Sequence, residues 1–264
     1  AVSTDLVLGE VGDEESNPAP SFVGQPIKSM VFYMNRLGFL SSDSIVLSQP
    51  GDFFNFFVGS AISVSDADPI DLATSDTKPA LINHALPVQK GVMLFSENAQ
   101  FMLFTDSEQF SPKTAQVKKV AAYECSAEVS PVDLGTSIMF VSNSSSYAKA
   151  FELVIGSELA APKVIEQTRV IPEFVPNDIN EVASSTQAGI VTYAKTGTDT
   201  LYHYKYYSAG ERRDQSAWYT WGLEGNLSHS LYTSGNYFAV TKQGTQYILC
   251  RHELVTDASS NRSY

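Results

Sequence analysis

The 264-residue sequence is poor in cysteine, in charge and in long apolar runs. Its two cysteines, Cys125 and Cys250, each stand alone, with no second Cys or His at metal-binding spacing. This argues against a disulfide scaffold and against a zinc module. No apolar run approaches the roughly 20 residues of a membrane-spanning helix, so we expect no membrane span.

Basic residues are also scarce. The chain has 17 Lys and Arg against 29 Asp and Glu, which gives a net charge of -12 and a pI near 4.7. Tight binding to nucleic acid depends on cations that displace counterions from the phosphates, so the composition argues against it. Hydrophobic residues make up 43% of the chain, with 15 Phe and 13 Tyr, which indicates an ordered core rich in β-structure.

The first 26 residues differ from the rest. They carry five acidic side chains and no Lys or Arg, and they end in a segment that contains three prolines, Pro18, Pro20 and Pro26. This pattern predicts an extended acidic lead-in over residues 1–26. Residues 27–264 then form the folded domain.

Within that domain, a short apolar segment, a polar turn and a second apolar segment recur. The clearest predicted hairpin joins residues 91–96 to 100–105. Others join 137–142 to 148–154, 189–195 to 201–207 and 237–242 to 246–252, and three segments (29–32, 36–41 and 44–48) open the series.

The centres of these repeats are spaced by between 46 and 56 residues. They lie at Leu37, Met93, Met139, Val191 and Phe238. A period of that length built only from strands is typical of four-stranded β-propeller blades. The only helical turn we predict is at residues 177–182, with Asn177 or Asp178 as its cap. The predicted fold class is therefore all-β, a β-propeller-like array of antiparallel hairpins, with a β-sandwich as the alternative.

Three carboxylates alternate closely at Asp66, Asp68 and Asp71. Such spacing can gather oxygen ligands around a hard cation, which makes these residues weak metal candidates. The segment lacks the Gly and Glu that a calcium-binding EF-hand loop requires at its sixth and twelfth positions. The alternative is a turn in which the Asp side chains cap backbone amides and Pro69 fixes the chain.

The sequence gives little sign of catalysis. It contains no G-x-S-x-G nucleophile elbow, and its four histidines do not pair at metal or helical spacing. No Gly-rich phosphate loop is present, and we predict no catalytic residue, resident metal or cofactor. An aromatic stripe at Tyr202, Tyr204 and Tyr206 shares one face of a predicted strand. It could stack on a sugar or on a partner, although such stripes more often pack between sheets.

Two stretches resemble a known family. The first holds Asn35-Arg36-Leu37-Gly38-Phe39-Leu40, then Gly51-Asp52-Phe53-Phe54-Asn55-Phe56-Phe57, and ends at Asp66-Ala67-Asp68-Pro69-Ile70-Asp71. The second runs from Leu201 to Tyr207 and on through a charged turn to Gln215-Ser216-Ala217-Trp218. Together they resemble the nozzle, or tail tubular protein B, family of T7-like short-tailed bacteriophages.

The resemblance implies a structural virion protein rather than an enzyme. Family members form a hexameric ring of identical copies below the tail adaptor, near the fibre proteins, and the genome leaves through this ring into the host. The chain would be a central portion of such a protein, made in the host cytoplasm and located in the virion tail. An acidic wall would let double-stranded DNA pass without tight binding.

Two exposed turns are the predicted partner contacts, because loops bind while a scaffold holds them. They are represented by Asn143 and Ser144 and by Glu211, Arg212 and Arg213. The alternative function is a tail-associated hydrolase of envelope or capsule polysaccharide. It would need two carboxylates about 5–9.5 Å apart.

Overall fold

The computed structural model describes residues 6, 9, 11–13, 15–143, 145–155, 162–209 and 212–254. The side chains of Ala209 and Arg212 are not described. The chain divides into two compact units, Ala1–Ala127 and Glu128–Tyr264. Regular secondary structure in the described part consists of strands, so the predicted all-β class is confirmed.

The first unit contains two antiparallel sheets of four strands. The first sheet is β1 (Ile27–Tyr33), β2 (Arg36–Ser41), β3 (Ser44–Leu47) and β4 (Ile70–Ala73). The second sheet is β5 (Ile82–Val88), β6 (Gly91–Ser96), β7 (Gln100–Phe104) and β8 (Gln116–Ala121).

The second unit contains three sheets. The first is β9 (Val132–Asp133), β10 (Ser137–Ser142), β11 (Lys149–Val154) and β12 (Lys163–Glu166). The next is β13 (Glu181–Ser185), β14 (Ile190–Ala194), β15 (Thr200–Ala209) and β16 (Arg212–Gly222). The last has three strands, β17 (Asn226–Thr233), β18 (Asn236–Gln243) and β19 (Gln246–Glu253).

Every sheet is an up-and-down meander in which each strand pairs with its neighbours in sequence. The five predicted repeat centres all fall in the second strand of a sheet, namely β2, β6, β10, β14 and β18. Each predicted repeat of 46 to 56 residues therefore corresponds to one sheet. Whether the sheets form a propeller or a sandwich concerns their mutual arrangement, and both alternatives stay predictions.

Apolar residues of the central strands fill the space between the two sheets of the first unit. Leu40, Ile45, Leu94 and Phe101 are fully buried in one cluster. The cluster contains residues of both sheets, so each sheet covers the other's apolar face. In the second unit, Met139 packs with Tyr193 and Tyr204, and Leu201 packs with Leu227 and Tyr237.

Part of the predicted lead-in packs on the first sheet. Phe22 is buried and makes edge-to-face contacts with Phe39 at 5.3 Å and with Phe56 at 5.1 Å between ring centroids. Residues 15–17 before it form a turn, in which the amide of Asn17 donates to the carbonyl oxygen of Asp13 at 2.8 Å. The boundary at residue 26 stays a prediction.

The predicted helical turn at residues 177–182 is wrong. Residues 177–180 form no helix, and β13 begins at Glu181. Asp178 has a φ of 63°, a left-handed conformation that a right-handed helix excludes. The Asn and Asp that suggested a helix cap therefore belong to a turn that leads into a strand. Among the described residues, no helix is long and apolar enough to span a membrane.

Candidate functional site

The Asp-rich segment lies at the end of the long β3–β4 connection and at the start of β4. Its most buried carboxylate, that of Asp68, holds a loop in place. Asp68 is 3% exposed. Its Oδ2 accepts a hydrogen bond from the amide of Ser65 at 2.6 Å, and its Oδ1 accepts one from the amide of Gly59 at 3.2 Å. Asp68 therefore ties together the two ends of residues 59–65, which we call the apex loop. This is the backbone capping that the turn interpretation predicts.

The other two carboxylates have different partners. Asp66 forms an exposed ion pair with Lys113 at 3.5 Å. Asp71 accepts hydrogen bonds from the amide of Ser21 at 2.8 Å and from its hydroxyl at 2.6 Å. Each of the three candidate metal ligands thus serves a protein contact. In the described part of the chain, no three His, Cys, Asp or Glu side chains gather as a metal would require.

Arg36 is the buried cation behind this segment. It is 2% exposed, and its Nη1 donates to the carbonyl oxygens of Ser48 at 2.8 Å and Asp68 at 2.7 Å. Its Nη2 donates to the carbonyl oxygen of Asp66 at 3.0 Å. Burial lowers the pKa of Arg36, and the nearby charge of Asp68 opposes that shift. Three carbonyls from both ends of the β3–β4 connection are therefore held by one guanidinium.

The apex loop presents apolar side chains to solvent. Ile62 is 98% exposed and Val64 is 51% exposed. The hydroxyl of Ser60 accepts hydrogen bonds from the amides of Ile62 and Ser63, both at 3.3 Å. The tip is thus tied by its own hydrogen bonds and braced at its base by Asp68.

The aromatic stripe of β15 is mostly an internal surface. Tyr204 is 1% exposed and packs with Tyr193 and Trp218. Phe174 contacts Tyr202 edge to face, with the ring centroids 5.8 Å apart. The stripe therefore contributes to a core between two sheets, which is the more frequent of the two alternatives.

Arg213, one of the predicted contact residues, folds back onto its own unit. Its guanidinium forms an ion pair with Glu152 of β11 and lies 4.3 Å from the ring centroid of Tyr206. Its Nη1 donates to the hydroxyl of Tyr204 at 2.9 Å, and its Nε donates to the hydroxyl of Ser208 at 2.9 Å. Arg213 thus connects the far end of the β15–β16 hairpin to the neighbouring sheet.

Glu152 anchors that connection, and sequence reasoning missed it. It is 3% exposed within an apolar strand. Its Oε1 accepts the hydroxyl of Ser137 at 2.6 Å, and its Oε2 accepts the amide of Gln167 at 2.6 Å. A lone acid in the middle of the apolar segment 150–154 was the available signal, because a buried carboxylate requires a partner.

The remaining predicted contact residues are described in part. Asn143 is half-buried, and its Nδ2 donates to the carbonyl oxygen of Ile179 at 2.7 Å. Ser144 and Glu211 lie outside the described residues, and Arg212 is described only as the first residue of β16. Contact of these residues with a partner stays a prediction.

A buried histidine in β15 is a further polar centre that sequence reasoning missed. His203 is fully buried, and its Nδ1 lies 2.8 Å from the hydroxyl of Thr192, which in turn lies 2.6 Å from the hydroxyl of Tyr232. Its ring stacks on Tyr219 and lies 4.3 Å from Trp221 between centroids. Burial lowers the pKa of His203 to about 3, so the ring is neutral near pH 7. His203 and Thr192 therefore lie within the core, where the imidazole is closed off from a substrate.

Two comparisons of the amino-acid sequence with known proteins identify the same family. The family model described as bacteriophage nozzle protein matches residues 7–264. Tail tubular protein gp12 of Escherichia phage T7 is 30% identical over 218 residues, which is 82% of this chain. The chain spans 27% of the length of that relative.

Comparison with solved structures gives weaker likenesses. The luciferin-regenerating enzyme matches with a TM-score of 0.44 and 11% identity, over 88% of this chain and 75% of that one. K. marxianus Hsv2 matches with a TM-score of 0.45 and 9% identity, over 86% of this chain and 67% of that one. At these scores and identities, neither likeness indicates a function.

Proposed function

Because this chain belongs to the bacteriophage nozzle protein family of structural tail proteins, we propose that it forms part of the wall of the conduit through which the genome leaves the virion. The family match over residues 7–264 is the observation that carries the proposal. In the full-length protein, six copies would form the ring, located in the virion tail after synthesis in the host cytoplasm. The tail adaptor and fibre proteins would be its neighbours.

The charge of the chain supports a wall to which DNA does not adhere. The net charge is -12, and several cations already have acidic partners. Lys113, Lys119, Lys195 and Arg213 all lie in ion pairs with Asp or Glu. With this excess of negative charge, we expect passing duplex DNA to be repelled rather than held.

The hydrolase alternative gains no support from the described residues. The two acidic side chains that are buried there, Asp68 and Glu152, are both held by protein hydrogen bonds or an ion pair. Each of these carboxylates therefore holds neighbouring parts of the protein together. A structural role therefore remains the better explanation of the carboxylates.

The proposal is tested by imaging the full-length protein and by measuring DNA retention. Electron cryomicroscopy of the full-length protein on tails is expected to show this chain in a six-fold ring around the axial channel. Purified ring is expected to retain no more duplex DNA on a filter at moderate salt than an acidic control protein does. A chain located away from the channel, or firm retention of duplex DNA, would contradict the conduit proposal.

A further inference from the structure

The apex loop has the properties of a docking element. Ile62 at its tip is 98% exposed, although burying an Ile side chain contributes about 1.5–3 kcal/mol. The loop is tied by Ser60 and Asp68, so little chain entropy would be lost when it binds. An apolar tip held in a fixed shape indicates a surface that becomes covered.

A second exposed apolar surface lies on β1 of the same unit. On the strand, Met30 is 67% and Phe32 54% exposed, while Val31 faces the core, and Met34 in the turn after the strand is 59% exposed. One edge of Phe32 is covered by Phe53, with the ring centroids 5.3 Å apart. Lys28, at the break in strand register near the start of β1, is also exposed. We call these four exposed residues the β1 face. Methionine side chains adapt to the shape of an inserted group, which suits this surface to receive an apolar tip.

We propose that the apex loop of one copy docks on the β1 face of the next copy in the ring. This inference rests on the proposed function, because it requires a ring of identical copies. Charge favours the pairing, since Lys28 belongs to the β1 face and residues 48–69, which carry the apex loop, contain the exposed Asp52 and no Lys or Arg. An acidic segment of this kind disfavours a phosphate-bearing partner such as DNA.

The two surfaces consist of different residues, which fixes the kind of assembly. A contact between two different patches is head to tail, and it forms a ring when the rotation between successive copies closes. A contact of the apex loop with itself would instead produce a two-fold dimer. The inference therefore predicts that Ile62 lies near Met30 of a neighbour and not near another Ile62.

Cross-linking between marked copies tests this arrangement. Full-length protein carrying Ile62→Cys is co-expressed with full-length protein carrying Met30→Cys, each copy having its own tag, and rings are treated with a short bismaleimide. Cys250 is changed to Ser in all variants because it is half-buried, whereas Cys125 stays because it is buried and burial raises the pKa of its thiol to about 12. The matched control replaces Met30→Cys with Val170→Cys, at an apolar residue that is 87% exposed in the second unit.

The mixed Ile62→Cys and Met30→Cys rings are expected to give about tenfold more cross-linked dimer than the Val170→Cys control, because docking raises the effective thiol concentration. Ile62→Cys alone is expected to give only the control level. Ile62→Asp should also weaken ring assembly by about tenfold or more, while Val170→Asp leaves it unchanged. Rings that form normally but give only control cross-linking overturn the docking inference and leave the conduit proposal standing. Wild-type protein that forms no ring overturns both.

Discussion

Replacing Arg36 by Met tests whether one buried guanidinium holds the β3–β4 connection. The change removes three donated hydrogen bonds, to the carbonyl oxygens of Ser48, Asp66 and Asp68. The bonds to Ser48 and Asp68 are fully buried, so those carbonyls would be left without a donor. At about 1.5–3 kcal/mol for each bond from a charged donor, the two buried bonds alone amount to about 3–6 kcal/mol.

The assay is urea unfolding followed by hydrogen exchange in peptides that cover β2 and β3. Tryptophan fluorescence cannot serve for this region, because Trp218 and Trp221 both lie in the second unit. A loss of about 4 kcal/mol at a slope near 2 kcal/mol/M lowers the urea midpoint by about 2 M. Lys78→Met, at an exposed cation of the same unit, should shift the midpoint by less than about 0.3 M, since such surface changes cost under about 0.5 kcal/mol.

Arg36→Lys separates charge from geometry. Lysine keeps the positive charge but is a point donor without the planar fork, so an intermediate midpoint is expected. An Arg36→Met midpoint within about 0.5 M of wild type would refute the reasoning, because it would mean that the three carbonyls find other donors at little cost.

Two further predictions concern the second unit. A double-mutant cycle of Glu152→Gln with Arg213→Met should give a coupling free energy of about 2 kcal/mol. The control cycle, Asp178→Asn with Lys195→Met, concerns an exposed pair at 3.4 Å and should give under about 0.5 kcal/mol. Equal coupling energies in the two cycles would contradict a structural role for Arg213. Burial lowers the pKa of His203 in the folded chain to about 3, below its ordinary value of about 6.5. The unfolded chain therefore binds the proton more readily, and the free energy of unfolding decreases as pH falls from 6.5 toward 3. Between pH 7.5 and pH 5 the free energy of unfolding, followed by tryptophan fluorescence, should fall by about 2 kcal/mol more in wild type than in His203→Phe, and parallel pH profiles would show that His203 does not titrate in this way.

Local patterns predicted the strands well because strand formation and turn chemistry depend on neighbouring residues. The predicted segments 91–96 and 137–142 coincide with β6 and β10. The capping of Ser65 by Asp68 was also open to prediction, since the two residues are three apart. The failure at residues 177–182 has the same local origin, because Asn and Asp favour turns as readily as helix caps.

The contacts that organise the candidate site could not be predicted from local patterns. Arg36 bonds carbonyls up to 32 residues away, and Glu152 pairs with Arg213 across 61 residues. Every residue has a backbone carbonyl, so the sequence does not show which carbonyls a buried Arg will bind. Only the folded structure shows the three that bind Arg36. Arg213 was predicted as exposed because it lies in a charged turn, whereas the register of β15 and β16 directs it back toward Glu152.

Because the sheets are up-and-down meanders, each strand pairs with the strand before or after it in sequence, and folding does not depend on pairing between distant strands. Most hairpins can close over a few residues while synthesis continues, and local pairing of this kind favours rapid folding. The slowest closure expected in the first unit is the return from β3 to β4, which spans residues 48–69. In the described part of the chain, none of the strand pairs of β1–β8 involves a later strand, so a nascent chain that has emerged only to Ala127 can already complete both sheets of its first unit.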